Sequence, residues 1–286
     1  MMEDHWIRVG PENRRLRVGI RRGVGCDPSP VLVLLHGVTR CGRDWEPIVP
    51  HLDPRWEIHA IDHRGHGDSD RAEGYRVLDY ARDLADWLQR GTGAPVVLMG
   101  HSLGAMAAAW AAAKVPGAVR ALLLEDPPFV AMGEVIVGTT WQALFEGMRE
   151  VCRRGGTLKE HIDRLGDIQV PRPDGFQVSL RTLRSPEALA WGAQCLSKLD
   201  PSVLDPLIGG RWMEGIDWAG IACALHCPVV LLQGDIAVGG ALADADAEAF
   251  LGRCRRGERI RFEGQGHQLH GTIPETIAKT VDCFLG

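Results

Sequence analysis

The chain has 286 residues, of which 45% are apolar and 24% charged, and its formal net charge is −5. This is the composition of a globular protein with a sizeable core, and its dispersed lysines and arginines exclude the basic face of a nucleic-acid-binding protein. The first residues lack the basic and apolar blocks of a signal peptide, and no apolar run reaches the ~20 residues that cross a bilayer. We therefore expect a cytoplasmic protein that binds neither nucleic acid nor a membrane.

Predicted strands and helices alternate along most of the chain. An N-terminal hairpin (5–9 and 16–20) precedes short apolar runs typical of buried strands and segments of helical period. The predicted strands are 31–35, 57–61, 95–99, 121–124, 228–232 and 259–262, and the predicted helices are 44–52, 77–90, 105–114, 243–254 and 274–285. Such alternation predicts an α/β fold with a mostly parallel central sheet flanked by helices.

The alternation stops between residues 127 and 227. No buried strand is evident there, and several tryptophans fall on helical or irregular segments. We predict a core made of residues 1–126 and 228–286, with a mainly helical cap inserted at 127–227.

The eight cysteines are scattered and form no C-x-x-C pair. Cys223 and Cys227 flank His226, but no second ligand cluster accompanies them, so we do not predict a metal site. We expect reduced thiols, mostly buried, and neither a metal nor another cofactor.

The pentapeptide Gly100-His101-Ser102-Leu103-Gly104 stands between a predicted strand and a predicted helix. In that context the G-x-S-x-G pattern predicts a nucleophile elbow. Glycines flank the serine because side chains there would collide with neighbouring backbone. Ser102 would lie at the strand tip with its hydroxyl exposed and a helix N-terminus behind it.

Four motifs in this chain order strongly resemble those of the α/β-hydrolase superfamily. They are Leu35-His36-Gly37 followed by Asp44-Trp45, the segment 62–69, the elbow at 100–104, and Gly264-Gln265-Gly266-His267. The resemblance covers roughly residues 5–126 and 228–286 and implies a Ser–acid–His triad with ester or related acyl chemistry. An aspartate and two histidines in the segment 62–67 could suggest a metal site. The resemblance implies instead that this segment is a structural turn.

The resemblance implies that Ser102 attacks the substrate and that His267 is its general base. His270 lies three residues further on and is the rival base nearby. The oxyanion would be stabilised by two backbone N–H groups, those of Leu103 and Val38.

The acid of the triad departs from the commonest pattern of the superfamily. The usual slot, after the strand 229–232, holds Ala237, and Asp235 comes too early. Some relatives, including zearalenone lactonases and certain dehalogenases, carry glutamate after the preceding strand, where this chain has Glu125-Asp126-Pro127. We hypothesise that Glu125 orients His267, with Asp235 as the first alternative and Asp126 as the second.

The substrate pocket is predicted to involve the cap. Phe129 and Met132 follow the acid directly in sequence, so connectivity places them near the site. Trp191, together with Trp141 or Trp212, could wall an apolar pocket above the serine, although core packing is the more common role of such tryptophans. No cluster of arginines or lysines in the cap indicates a carboxylate or phosphate handle.

These residues predict a serine hydrolase that cleaves a small apolar carboxylic ester or lactone. Alternatives are an amidase or a C–C bond hydrolase with the same triad, or a non-catalytic ligand receptor. Dehalogenase and epoxide-hydrolase relatives use aspartate where this chain has Ser102, so we do not expect their chemistry. A homodimer is compatible with the sequence.

Overall fold

The computed structural model describes residues 2–91, 93–171 and 176–285. Its strands are β1 (Glu3–Val9), β2 (Arg14–Arg21), β3 (Val31–Leu35), β4 (Glu57–Ile61), β5 (Val96–His101), β6 (Val119–Glu125), β7 (Gln169–Pro171), β8 (Gln177–Ser179), β9 (Val229–Gly234) and β10 (Gly257–Phe262). Its α-helices are α1 (Val77–Gln89), α2 (Leu103–Lys114), α3 (Thr140–Arg154), α4 (Leu158–Asp167), α5 (Leu180–Leu183), α6 (Pro186–Lys198), α7 (Asp205–Ile208), α8 (Trp218–Ala224), α9 (Asp244–Leu251), α10 (Leu269–Thr272) and α11 (Pro274–Asp282).

Within the described residues, eight strands form the main sheet, in the order β1-β2-β4-β3-β5-β6-β9-β10. From β4 to β10 along this order all neighbours are parallel, whereas β1 and β4 each pair antiparallel with β2. Every residue of β5 and of β9 is buried, as expected for strands covered on both faces. This confirms the predicted mostly parallel sheet between helices.

The sheet separates two apolar cores. Alternate residues of one strand point to opposite faces, so Val33 and Leu35 join the core formed with α1 and α2. Leu32 and Leu34 join the other core, which includes Trp45 and residues of α11.

The predicted helix at 44–52 is instead two 3₁₀ turns, Gly42–Trp45 and Val49–His51. Pro47 and Pro50 explain the difference, because a proline has no N–H for the helical hydrogen bond and its ring clashes with the preceding turn.

Between β6 and β9, the described residues contain α3 to α8 and the short antiparallel hairpin β7–β8, which stays apart from the main sheet. The sequence analysis had not predicted this hairpin. The cap contacts the core through polar groups of α6: Trp191 Nε1 donates to Asp44 at 2.7 Å, and Lys198 Nζ donates to Asp68 at 2.6 Å.

Among the described residues, no helix combines the length and apolar character needed to cross a bilayer. All eight cysteines are free thiols.

Candidate active site

Ser102 lies in the tight turn between β5 and α2, at φ 51° and ψ −111°, a conformation that residues other than glycine rarely adopt. A Cβ atom on Gly100 would lie 2.3 Å from the carbonyl carbon of Gly104, and one on Gly104 would lie 2.1 Å from the carbonyl oxygen of Leu35. Both flanking positions therefore require glycine, and the structure forms the predicted strand–turn–helix.

A cavity of about 620 Å³ has Ser102, His267 and Val38 in its wall. Leu103 is the first residue of α2, so its backbone N–H has no partner within the helix. Of the two residues expected to supply oxyanion N–H groups, Val38 lines the same cavity as the serine and Leu103 follows the serine directly in the chain. In the described part of the chain the Ser102 hydroxyl forms no hydrogen bond, and catalytic contacts of this kind often tighten only with substrate bound.

His267 is hydrogen-bonded to Asp126. The ring Nδ1 donates to Asp126 Oδ2 at 2.7 Å. The carboxylate is fully buried and also accepts from the backbone N–H groups of Gly234 at 3.1 Å, Ala241 at 2.7 Å and Leu242 at 3.2 Å. These donors compensate for the burial of its charge and fix the direction in which the ring of His267 points.

The prediction that Glu125 contacts His267 is wrong, and Asp126, the second alternative, takes that position. Glu125 is the last residue of β6, whereas Asp126 has a φ of 45°, which turns the chain and directs its side chain to another partner. The likeness to zearalenone lactonases depended on Glu125 and is not shown. Asp235, the first alternative, is a half-buried loop anchor whose carboxylate accepts from Ala237 N at 2.9 Å and Gly264 N at 3.0 Å.

Glu125 is instead paired with His270 in a second, buried cluster. Glu125 Oε1 accepts from the backbone N of His270 at 3.2 Å and from its Nδ1 at 2.8 Å. His270 Nε2 donates to Asp44 Oδ2 at 3.2 Å, and Trp191 of the cap donates to Asp44 Oδ1. Burial alone would lower the pKa of His270, but the two carboxylates outweigh it and raise the pKa to about 10.

The pKa of Asp44 is shifted in the opposite direction. Burial would raise it, but the positive charges of Arg40 and His270 hold it well below the usual range. His101 lies between the two clusters, with its ring centroid 4.5 Å from that of His267 and 5.1 Å from that of His270. Burial, reinforced by these two neighbours, lowers the pKa of His101 well below its usual value, so this ring is neutral.

The remaining histidines near the oxyanion loop are structural. His36 Nε2 accepts from the backbone N of His63 at 3.0 Å, and His66 Nε2 accepts from that of Thr39 at 3.3 Å. Burial lowers the pKa of His63 to about 3 and that of His66 to about 4. The described residues contain no group of three His, Cys, Asp or Glu side chains that could hold a metal ion.

Only some of the residues predicted to form the pocket wall line the cavity. Met132, Trp141 and Trp212 do so. Phe129 does not, because it stacks on Phe250 at a centroid distance of 4.4 Å. Trp191 also lies outside the lining, since its indole is bound to Asp44. Phe129 and Trp191, two of the three predicted substrate contacts, therefore do not line this cavity.

Two arginines that the sequence analysis missed line the same cavity, Arg40 and Arg184. Arg40 follows the oxyanion loop and donates to the side-chain oxygen of Gln268 at 3.1 Å. Arg184 follows α5, and within the described ranges no acceptor or carboxylate partners its guanidinium. Partial burial, together with the charge of Arg40, lowers its pKa. The sequence analysis found no cluster of cap arginines or lysines, and it did not predict these two cations in the cavity wall.

The position of Arg40, directly after His36-Gly37-Val38-Thr39, could have indicated its proximity to the serine. No comparable signal exists for Arg184, whose position depends on how the cap packs.

Comparison with known proteins gives one consistent family. The sequence profile of the alpha/beta hydrolase fold matches residues 30–156. The 2-(acetamidomethylene)succinate hydrolase of Mesorhizobium japonicum is 37% identical over 295 residues, covering 99% of this chain and 96% of that one. The (E)-2-((N-methylformamido)methylene)succinate hydrolase of Acinetobacter baylyi is 21% identical over 265 residues and 89% of each chain.

Solved structures show the same fold. The N-formylmaleamic acid deformylase of Pseudomonas putida S16 superposes with a TM-score of 0.75 at 19% identity, covering 98% of this chain and 100% of that one. An E-2-(acetamidomethylene)succinate hydrolase superposes with a TM-score of 0.72 at 21% identity over 99% of both chains. By its motifs, its fold and its sequence, the chain belongs to the α/β-hydrolase family.

Proposed function

We propose that this protein is a serine hydrolase that cleaves the amide bond of a small substrate carrying one or more carboxylates. The observation that carries the proposal is a single cavity whose wall holds Ser102, His267 with its partner Asp126, and the guanidinium groups of Arg40 and Arg184.

The proposed reaction has two halves. Ser102 Oγ attacks the carbonyl carbon while His267 takes the hydroxyl proton, and Asp126 stabilises the imidazolium that forms. The N–H groups of Val38 and Leu103 bind the oxyanion. His267 then gives its proton to the leaving nitrogen, which leaves an acyl-enzyme. A water that loses its proton to His267 attacks the acyl carbon, and that proton returns to Ser102 as the acid is released.

The two arginines favour an anionic substrate. A guanidinium binds a carboxylate through two parallel N–H···O bonds, and an arginine without a partner in a cavity is ready to do so. The names of the two relatives describe succinates, dicarboxylic acids that carry an amide on a methylene group. The two arginines in the cavity wall of this chain support a substrate with carboxylates of this kind.

An ester or lactone with an apolar portion is the second candidate. It is favoured by the apolar residues of the same cavity wall, among them Met132, Trp141, Leu144 and Phe145. Two further candidates remain. One is cleavage of a C–C bond by the same triad, and the other is ligand binding without turnover.

The test compares (E)-2-(acetamidomethylene)succinate with its dimethyl ester and with p-nitrophenyl butyrate, using the wild type and S102A. We expect the diacid to release acetate with a kcat/KM at least about 100-fold above that of its dimethyl ester, since two charge-assisted contacts are lost and each is worth ~1.5–3 kcal/mol. S102A should be inactive towards all three compounds. Preference for the butyrate would favour the second candidate, and the absence of both turnover and labelling of Ser102 by a fluorophosphonate would favour a receptor.

A further inference from the structure

The cluster of Glu125, His270 and Asp44 has no part in the proposed reaction, yet all three side chains are buried, with exposed fractions of 0%, 2% and 6%. Buried ion pairs contribute little net stability, because removing the charges from water costs about as much as their attraction returns. Three charged groups beside an active site therefore suggest a role beyond holding the fold together.

The cluster is joined directly to the pair formed by Asp126 and His267. Glu125 and Asp126 are consecutive at the end of β6, and the histidines they bind lie three residues apart on one loop. His101, the residue before the serine, also donates from Nε2 to the carbonyl oxygen of His267 at 2.9 Å. Hydrogen bonds thus hold this segment at three points: the ring of His267, the backbone carbonyl of His267, and the ring of His270.

The same cluster reaches the cap. His270 Nε2 donates to Asp44 Oδ2, and Asp44 Oδ1 accepts from Trp191 Nε1 of α6 at 2.7 Å. The positive charge of Arg40, which lines the cavity, also acts on Asp44. A continuous set of hydrogen bonds therefore runs from the cap helix through Asp44 and His270 to the loop that carries His267.

We propose that His270, held between Glu125 and Asp44, is a positioning residue. It couples the contact between the cap and the core to the orientation of His267. When Trp191 is bound to Asp44, the loop holds His267 in line with Ser102. When the cap lifts and this bond breaks, the loop loosens. This inference depends on the proposed serine hydrolase chemistry, because it assigns His267 as the base.

The test measures how fast a fluorophosphonate reacts with Ser102, which needs the base and no knowledge of the natural substrate. W191F keeps an aromatic ring but removes the N–H that binds Asp44, together with part of the indole's volume, and E125Q weakens the other end of the cluster. K198M is the matched control, because it breaks another contact between α6 and the core, the pair with Asp68.

We expect W191F to lower the maximal phosphonylation rate about tenfold with an unchanged half-saturating probe concentration, since misplacing a catalytic group slows the reacting step. W191F/E125Q should be no slower than E125Q alone, because coupled residues are non-additive, and K198M should stay within about twofold of the wild type.

The proposal is overturned if W191F reacts like the wild type, if K198M slows the reaction as much as W191F does, or if the losses of W191F and E125Q multiply. Should E125Q fail to fold, W191F and K198M, each checked by its melting temperature, decide the question. A wild type that the probe does not label at Ser102 would instead reject the proposed function itself.

Discussion

The two histidine–carboxylate pairs of this site contain the same chemical groups in different surroundings. The ring of His267 is 21% exposed, lies on the cavity wall and has one carboxylate, whereas that of His270 is 2% exposed and lies between two carboxylates. With its pKa raised to about 10, His270 is protonated at neutral pH and cannot accept a proton from a serine. Accessibility and the number of carboxylates thus distinguish a candidate base from a fixed cation three residues away.

Replacing Asp126 and Glu125 with their amides is the strongest test of whether the two histidine–carboxylate pairs differ in function. D126N should lower kcat/KM by about 10⁴-fold, because the amide can hold His267 in the wrong tautomer and cannot stabilise the imidazolium. E125Q should cost far less, because Glu125 acts on His267 only through His270. Steady-state kinetics of both variants measure the ratio. Equal losses would show that the two pairs are not distinct in function.

Removing the cation of the second pair should affect stability most. H270N leaves Glu125 buried without a positive partner and leaves Asp44 with only the charge of Arg40, and we expect the free energy of unfolding to fall by ~3–5 kcal/mol. Urea denaturation measures this difference. A loss below about 1 kcal/mol, the scale of exposed ion pairs, would contradict the charge assigned to His270.

The titration of His270 should make the free energy of unfolding depend on pH. The pKa of His270 is raised from 6.5 to about 10 by folding, so its contribution is fully present below pH 6.5 and is lost as the pH rises through 10. Unfolding measured from pH 6 to pH 10 should show the wild type losing stability relative to H270N. Parallel curves for the two proteins would argue against this titration.

Arg184 should affect substrate binding rather than the reacting step. We expect R184M to raise KM for the dicarboxylate about 10–100-fold, because one charge-assisted contact is lost, with kcat nearly unchanged. Its dimethyl ester, which carries no charge for the guanidinium, serves as the control and should be turned over equally by both proteins. An equal increase in KM for both compounds would show that Arg184 supports the cavity rather than binding a carboxylate.

Asp235 should matter least. D235N lies on an exposed loop, and we expect kcat/KM to change by less than about twofold, as for most surface substitutions. A loss comparable to that of D126N would restore Asp235 as the acid of the triad.

The parts of this site that could be predicted from sequence are those determined by short segments. The elbow needs glycine at positions 100 and 104 for steric reasons, and the apolar runs of β3, β5, β6 and β9 predict buried parallel strands. The choice between Glu125 and Asp126 was beyond sequence reasoning. It depends on the φ of 45° at Asp126, which directs two adjacent carboxylates to two different histidines.

The cap was harder to predict for a similar reason. Its helices pack by contacts distant in sequence, so the apolar character of Phe129 and Trp191 gave no information on whether they face the cavity. Trp191 binds Asp44 across 147 positions of the chain. Arg184 reaches the cavity beside Leu180 and Leu183 of α5, which line it too.

A crystal structure of the protein after reaction with a fluorophosphonate tests the proposed triad most directly. We expect phosphorus bonded to Ser102 Oγ, a phosphoryl oxygen within hydrogen-bonding distance of the N–H groups of Val38 and Leu103, and His267 hydrogen-bonded to Asp126. A phosphonate on another residue, or a His267 ring paired with a different carboxylate, would contradict it.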